Sequence, residues 1–153
     1  MSAVVEAAFT LRPMRPEDLG AVLDIERDIY SHPWTPGNFR DSLHAGYGCW
    51  VMERGPVLVG YGVLMAGVEE AHLLNLSVAR IWQRQGLGRE LLAHFVALAR
   101  QMEARMLFLE VRPSNRSARE LYLDAGFREL SVRRAYYPAD SGREDAILMG
   151  MDL

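Results

Sequence analysis

Gln83-Arg84-Gln85-Gly86-Leu87-Gly88 decides the reading of this chain. An apolar run at 72–78 leads into it and predicts a buried strand. An amphipathic run at 89–102 leads out of it and predicts a helix. A strand, a glycine-spaced turn and a helix N-terminus together bind anions. Backbone N–H groups there lack intrahelical partners, and the helix dipole adds partial positive charge. Gly86 and Gly88 allow positive φ and close approach of a ligand to the backbone. Arg84 and Arg89 add charge-assisted hydrogen bonds. The stretch predicts a pyrophosphate cradle.

Two kinds of cradle do not fit. A Walker loop needs Lys followed by Ser or Thr, and Gly88 is followed by Arg89-Glu90. A dinucleotide fingerprint needs a small residue where Leu91 stands. What remains is Q/R-x-x-G-x-G/A, matched at every fixed position by 83–88. This resembles the acetyl-CoA signature of the GNAT N-acetyltransferases. On this stretch alone, a tight connection without a ligand is the alternative.

The chain has 153 residues, which suits one domain, 1–153, with a single core. No segment reaches the ~18 apolar residues of a membrane span. The first residues, 1–9, carry Glu6 and no basic cluster, so they do not read as a signal peptide. Residues 1–8 precede every motif, as an N-terminal extension or a disordered segment. The single cysteine, Cys49, leaves no partner for an internal disulfide and points to a reducing, cytoplasmic setting. Its apolar surroundings read as packing rather than nucleophile chemistry. The net charge of −3 gives no electrostatic case for nucleic acid. All 17 basic residues are arginine, so phosphate contacts fall to Arg and backbone N–H groups. The four histidines have no metal-ligand spacing, and no metal is expected.

Along the chain, 9–14 predicts a first strand. Arg15-Pro16-Glu17-Asp18 starts a helix, with Pro at the first position and acids in the first turn. Thr35-Pro36 caps a second short helix carrying Phe39 and Leu43. Between them, Tyr30 and Trp34 are either packing anchors or a ligand wall. Runs 48–53 and 57–66 form a hairpin about Arg54-Gly55-Pro56. Glu69-Glu70 are turn residues or part of an acidic wall for an amine. Run 106–111 is nearly all apolar and predicts a strand buried on both faces, interrupted by Glu110. Ser114 or Asn115 caps a helix that ends before Gly126. Runs 127–134 and 146–153 form a last hairpin around a long turn that includes Asp140-Ser141-Gly142. This order predicts an α/β fold with one mixed sheet of about six to seven strands and about four helices. The first half is antiparallel, with a parallel pair at the cleft.

An ionised Glu110 near the end of a buried strand is costly unless paired. It is either salt-bridged, to an Arg such as Arg112, or a general base. Acetyl transfer needs a neutral amine, and an α-amino group has a pKa of about 7.7–8.0. A carboxylate accepts that proton directly or through water. Tyr122 is a core residue or a general acid for a leaving thiolate. Asn115 caps its helix or binds the amide arm of a cofactor. A backbone N–H of 76–78 is placed to stabilise a tetrahedral oxyanion.

Leu109-Glu110-Val111-Arg112-Pro113-Ser114-Asn115, then Leu121-Tyr122 and Gly126-Phe127, resemble the RimI branch of the GNAT N-acetyltransferases. Arg133-Arg134-Ala135-Tyr136-Tyr137-Pro138 and Gly142-Arg143-Glu144-Asp145-Ala146 resemble that branch's C-terminal hairpin. His32-Pro33-Trp34-Thr35 resembles its early aromatic-Pro-Trp-Ser loop, with His and Thr as departures. The resemblance implies the GNAT fold and transfer from acetyl-CoA to the N-terminal alanine of ribosomal small-subunit protein 18. It implies Glu110 as base and Tyr122 as acid. It implies cofactor contacts at Leu76, Ser77, Val78, Arg84, Gln85, Gly86, Leu87, Gly88, Arg89 and Asn115. Tyr30, Trp34, Tyr136 and Tyr137 are the expected substrate-binding residues, the last two as holders of a peptide backbone. A small-amine acetyltransferase and a CoA-binding module without catalysis are the competing readings. The tyrosine pair argues against the first, and the Glu110–Tyr122 pair against the second.

Overall fold

The computed structural model describes residues 8–153; the extension expected at 1–8 falls, for 1–7, outside the described residues. The chain runs β1 (Phe9–Pro13), α1 (Leu19–Ile29), α2 (Pro36–His44), β2 (Gly48–Arg54), β3 (Val57–Ala66) and β4 (Glu70–Val78). It continues α3 (Leu87–Gln101), β5 (Met106–Val111), α4 (Arg116–Ala125), β6 (Arg128–Ala139) and β7 (Gly142–Asp152). The seven strands form one sheet in the order β1-β2-β3-β4-β5-β7-β6. All neighbours are antiparallel except β4 and β5.

Local chemistry sets the helices. Pro16 opens a single 3-10 turn, Pro16–Asp18, ahead of α1, where Arg12 donates to Asp18 at 2.7 Å. Thr35 accepts from Asn38 N while the Asn38 side chain accepts from Thr35 N, a reciprocal cap with Pro36 at the first position of α2. Gly126 ends α4 at φ 108°. The sheet alternates between two cores. Val22, Leu23 and Phe39 of α1 and α2 pack with Cys49, Val51, Tyr61 and Val63. Leu91, Leu92 and Phe95 of α3 pack on the opposite face with Leu73, Leu107 and Leu109. At Gly62 an added Cβ would sit 2.4 Å from Phe95 Cε2, so α3 approaches β3 more closely than any side chain there permits.

Three sequence expectations need correction. The helix after the glycines starts at Leu87, two residues before the expected 89, because Gly86 in the left-handed region turns the chain earlier. β5 is not buried on both faces: Leu107, Leu109 and Val111 are buried, while Met106, Phe108 and Glu110 are partly exposed. Its apolar run therefore seals one face against α3 and α4 and lends the other to a cavity. The last hairpin has no long turn, since β6 and β7 run to Ala139 and Gly142.

The sheet opens where the one parallel pair ends. β4 and β5 pair from Glu70↔Met106 to Leu73↔Leu109 and no further. On the other side of β4, Val63 pairs with Asn75 and Leu64 with Leu73, leaving Leu74 as an extra residue. Such a bulge bends its strand and increases local twist. From Leu74 onward β4 keeps β3 and diverges from β5, so one edge of its backbone faces a cleft instead of a ladder partner.

Candidate active site

A cavity of 290 Å³ fills the divergence of β4 and β5. It collects residues from five separate segments: Tyr30 and Trp34, Leu76, Glu110, Asn115 with Tyr122, and Tyr137. A second cavity of 230 Å³ adjoins it, lined by Trp34, His72, Glu110, Tyr136 and Tyr137 among others. Glu110, Trp34 and Tyr137 line both. Glu69 and Glu70 line neither: Glu69 is a turn residue at φ 57°, and Glu70 lies 3.5 Å from His72.

The glycine stretch stands at the start of α3, outside these two cavities. Gln83 Nε2 donates to Val78 O at 2.9 Å, and Gln85 Nε2 to Ile81 O at 3.3 Å, which pins the turn to the end of β4. Arg84 at φ 63° and Gly86 at φ 82° curl the backbone. The first helical bond runs from Glu90 N to Gly86 O at 3.1 Å, so the N–H groups of Leu87, Gly88 and Arg89 have no intrahelical acceptor. A Cβ at Gly86 would meet nothing within 4 Å, and one at Gly88 only Leu121 Cδ2 at 3.5 Å. Packing inside the protein thus requires neither glycine to be small; the φ of 82° favours glycine at 86, and Gly88, inside α3, leaves the outer face of the turn open. The Leu87 side chain is core and the Ser77 side chain is buried, which leaves their backbone groups as the available contacts. Arg89 pairs loosely with Asp124 at 3.8 Å in the open.

Glu110 lies just past the last β4–β5 pair, with its side chain 23% exposed. Its cationic neighbour is Arg133 at 3.8 Å, not Arg112. Arg112 instead donates to Pro138 O at 2.7 Å, lies 3.6 Å from Glu144, and covers the Tyr137 ring. Tyr122 is buried, edge-on to Phe127 at 5.7 Å. Burial, then the nearness of Tyr30 and Tyr137, pushes its phenol above the ordinary value, so it holds its proton at neutral pH. Asn115 is the N-cap of α4, its Oδ1 accepting from Ala118 N at 3.3 Å. Burial pushes the Cys49 thiol up to about 11, which fits packing rather than nucleophile chemistry.

Consecutive strand residues normally point to opposite faces, yet Tyr136 and Tyr137 both line the second cavity. The cause is a break in β6. Arg133 pairs with Ala146 and Tyr137 with Glu144, so residues 134–136 oppose Asp145 alone. The Asp145 side chain accepts from Ala135 N at 2.8 Å, and Arg143 donates to Ala135 O and Tyr136 O at 2.7 and 2.9 Å. Ala135 takes φ 52°. Burial first, then Glu110, pushes the Tyr137 phenol up to about 12.

A buried polar chain escaped the sequence reading. Glu26 of α1 is 1% exposed and accepts from Tyr61, Asn75 and the backbone of Trp34. The chain continues through Ser77 to Tyr30. One signal was available: Glu26 interrupts the apolar stripe Leu19, Val22, Leu23 at helical spacing, where a charge is not expected.

The profile of the Acetyltransferase (GNAT) family matches residues 19–127. The [Ribosomal protein bS18]-alanine N-acetyltransferase of Escherichia coli (strain K12) is 35% identical over 144 residues, covering 94% of this chain and 97% of the relative. The crystal structure of the ribosomal-protein-S18-alanine N-acetyltransferase from Escherichia coli superposes with a TM-score of 0.88 at 34% identity, covering 95% of this chain and 94% of that one. Ard1 from Thermoplasma volcanium gives 0.87 at 28% identity, covering 95% and 98%. This chain belongs to the GNAT acetyltransferase family, in its RimI-type branch.

Proposed function

We propose that the chain transfers the acetyl group of acetyl-CoA to the α-amino group of a protein N-terminus, the N-terminal alanine of ribosomal protein bS18 foremost. The reading extends the activity of the relatives to this chain along 94% of its length. The observation that carries it is the position of Glu110, which lines both cavities where β4 and β5 part. One cavity has Asn115 and Tyr122 in its wall, the other Tyr136 and Tyr137.

The residues present fit acetyl-CoA. The N–H groups of Leu87, Gly88 and Arg89, with Arg84, would hold the pyrophosphate, and the exposed edge of β4 at 76–78 would receive the arm. The bound thioester supplies an electrophilic carbonyl. Glu110 takes a proton from the substrate ammonium, directly or through water, and frees the nitrogen lone pair. Tyr122 supplies a proton as the C–S bond breaks. Its burial keeps that proton in place but opposes a lasting phenolate, so the donation accompanies bond cleavage. The aromatic walls, Tyr30 and Trp34 on one side and Tyr136 and Tyr137 on the other, seat the peptide.

One domain, 1–153, carries this activity in the cytoplasm, with no nucleic acid or membrane partner. Among the described residues no helix is long and apolar enough to cross a membrane, and no group of acids, Cys or His is arranged for a metal. A peptide panel with acetyl-CoA tests the reading. Acetylation confined to the α-amine of Ala-initiated peptides supports it; acetylation of small amines with no peptide turnover overturns it.

A further inference from the structure

Glu26 is a buried carboxylate that the reaction as proposed above does not use. Removing a carboxylate from water costs several kcal/mol unless its oxygens are satisfied. Three donors meet it. Trp34 N donates to Oε2 at 2.9 Å, the Tyr61 hydroxyl to Oε1 at 2.8 Å, and Asn75 Nδ2 to Oε1 at 3.1 Å.

A carboxylate only accepts, and this sets the direction of every bond beyond it. Asn75 must turn its nitrogen to Glu26 and its oxygen to Ser77. The Ser77 hydroxyl then donates to Asn75 Oδ1, at 2.6 Å. With its hydrogen engaged there, Ser77 Oγ is an acceptor toward Tyr30 Oη, 2.7 Å away. The Tyr30 hydroxyl therefore donates inward, to Ser77 Oγ or to the Leu76 carbonyl at 3.2 Å. Its lone pairs are what the cleft meets. Tyr30, Leu76 and Glu110 line the same cavity. A phenol oxygen, a carbonyl oxygen and a carboxylate are three acceptors, and a primary ammonium carries three N–H donors.

We propose that Glu26 is a positioning residue for the amine substrate: through Asn75 and Ser77 it keeps the Tyr30 oxygen turned to the cleft as an acceptor for an N–H of the incoming ammonium. Its bond to Trp34 N holds the segment carrying Tyr30 and Trp34 against β4. The inference rests on acetyl transfer to an amine as proposed above. The ammonium gives one proton to Glu110, which passes it to solvent, while the two remaining N–H groups of the amine lie on Tyr30 Oη and Leu76 O. The freed lone pair forms the N–C bond, and the nitrogen, now cationic, loses a second proton to Glu110 directly or through water. The C–S bond breaks with its electrons on sulfur, which takes the Tyr122 proton. Glu110 returns the second proton to Tyr122 through solvent, and the product amide keeps one N–H.

The test is a set of double-mutant cycles on kcat and KM for an Ala-initiated peptide, with the acetyl-CoA Kd from calorimetry and the Tm of each variant. Tyr30→Phe removes the acceptor, Ser77→Ala breaks the relay, and Glu26→Gln makes its direction ambiguous. Each is expected to raise the peptide KM by about tenfold, as for one hydrogen bond to a charged group, with little change in the acetyl-CoA Kd. Glu26→Gln and Ser77→Ala should add little on top of Tyr30→Phe, because all three lose the same contact. Multiplying effects would make the network packing alone and overturn the proposal. If Glu26→Gln fails to fold, the Tyr30→Phe and Ser77→Ala cycle decides by the same criterion. A wild-type protein that leaves the peptide unmodified refutes the proposed function and this inference with it; an active wild type with multiplying effects refutes the inference alone.

Discussion

The Arg112 guanidinium lies over the Tyr137 ring, 4.4 Å from its centroid. One residue past the end of β5 thus grips the hairpin that carries the aromatic wall. The same group donates to Pro138 O and faces Glu144, which also accepts from Ser114 at 2.8 Å. The hairpin is held at the cleft by these side chains, because β6 is an edge strand whose residues from Arg128 to Tyr136 are exposed. Arg112→Ala should raise the KM of an Ala-initiated peptide by about tenfold, or ~1.4 kcal/mol, the scale of a lost cation–π contact and one charged hydrogen bond. The acetyl-CoA Kd should stay where it is. An equal weakening of acetyl-CoA would place the role of Arg112 in β5 rather than in the hairpin.

Gly88→Asp separates helix stability from ligand binding. A carboxylate in the first turn of α3 suits the dipole, and losing a helical glycine favours the fold by roughly 0.5–1 kcal/mol. The new Cβ would meet Leu121 at an ordinary 3.5 Å. Tm should hold or rise. Acetyl-CoA affinity should fall by about tenfold or more, since the acid stands where the pyrophosphate is expected. Calorimetry showing unchanged affinity in this folded variant removes the cradle assignment.

The order of helices and strands along the chain, the caps at Thr35 and Gly126, and the turn before α3 were legible in the sequence because each depends on neighbours within a few residues. The cavity residues Glu110, Tyr122 and Asn115 were legible because one strand–loop–helix segment carries all three. What was not legible depends on distant partners. Arg133 meets Glu110 from β6, across the intervening β7, and Tyr136 reaches the cavity beside Tyr137 through the bulge at 134–136, which Asp145 and Arg143 of β7 stitch. Glu26 draws its donors from Trp34, Tyr61 and Asn75, three separate segments. β5 reads as buried on both faces because Phe108 is apolar, yet that face packs against His72, at 5.3 Å between ring centroids, beside a cavity.

His94 gives the fold a pH dependence independent of the reaction. Its ring sits 4.3 Å from Trp50 and 5.5 Å from Phe95, with Nε2 buried and unpaired. Burial lowers its pKa below the ordinary value. The folded state therefore favours neutral His94 more than the unfolded state does. The stability this contributes is present above the unfolded value of about 6.5 and is lost as pH falls from there through the folded value. Thermal melts should show Tm falling from pH 7 to pH 5, and His94→Phe should flatten that slope. A variant with the wild-type slope would assign the acid sensitivity to other groups.

Glu110→Gln keeps the shape of the side chain and removes its capacity to take a proton. Its contact with Arg133 is long, and Arg133 is mostly exposed, so Tm should change little. At neutral pH, kcat/KM for an Ala-initiated peptide should fall by about 10²–10⁴-fold, the usual contribution of a positioned base. Raising pH should restore part of that loss, because more of the substrate arrives as the neutral amine once pH passes about 7.7–8.0. A peptide with a blocked N-terminus and one lysine should remain a poor substrate for the wild type, since its ammonium has a pKa near 10.4 and a longer stem. A Gln variant with the wild-type rate and pH profile would make Glu110 a structural residue. Equal wild-type turnover of the blocked lysine peptide would keep the transfer reaction and discard the N-terminal assignment.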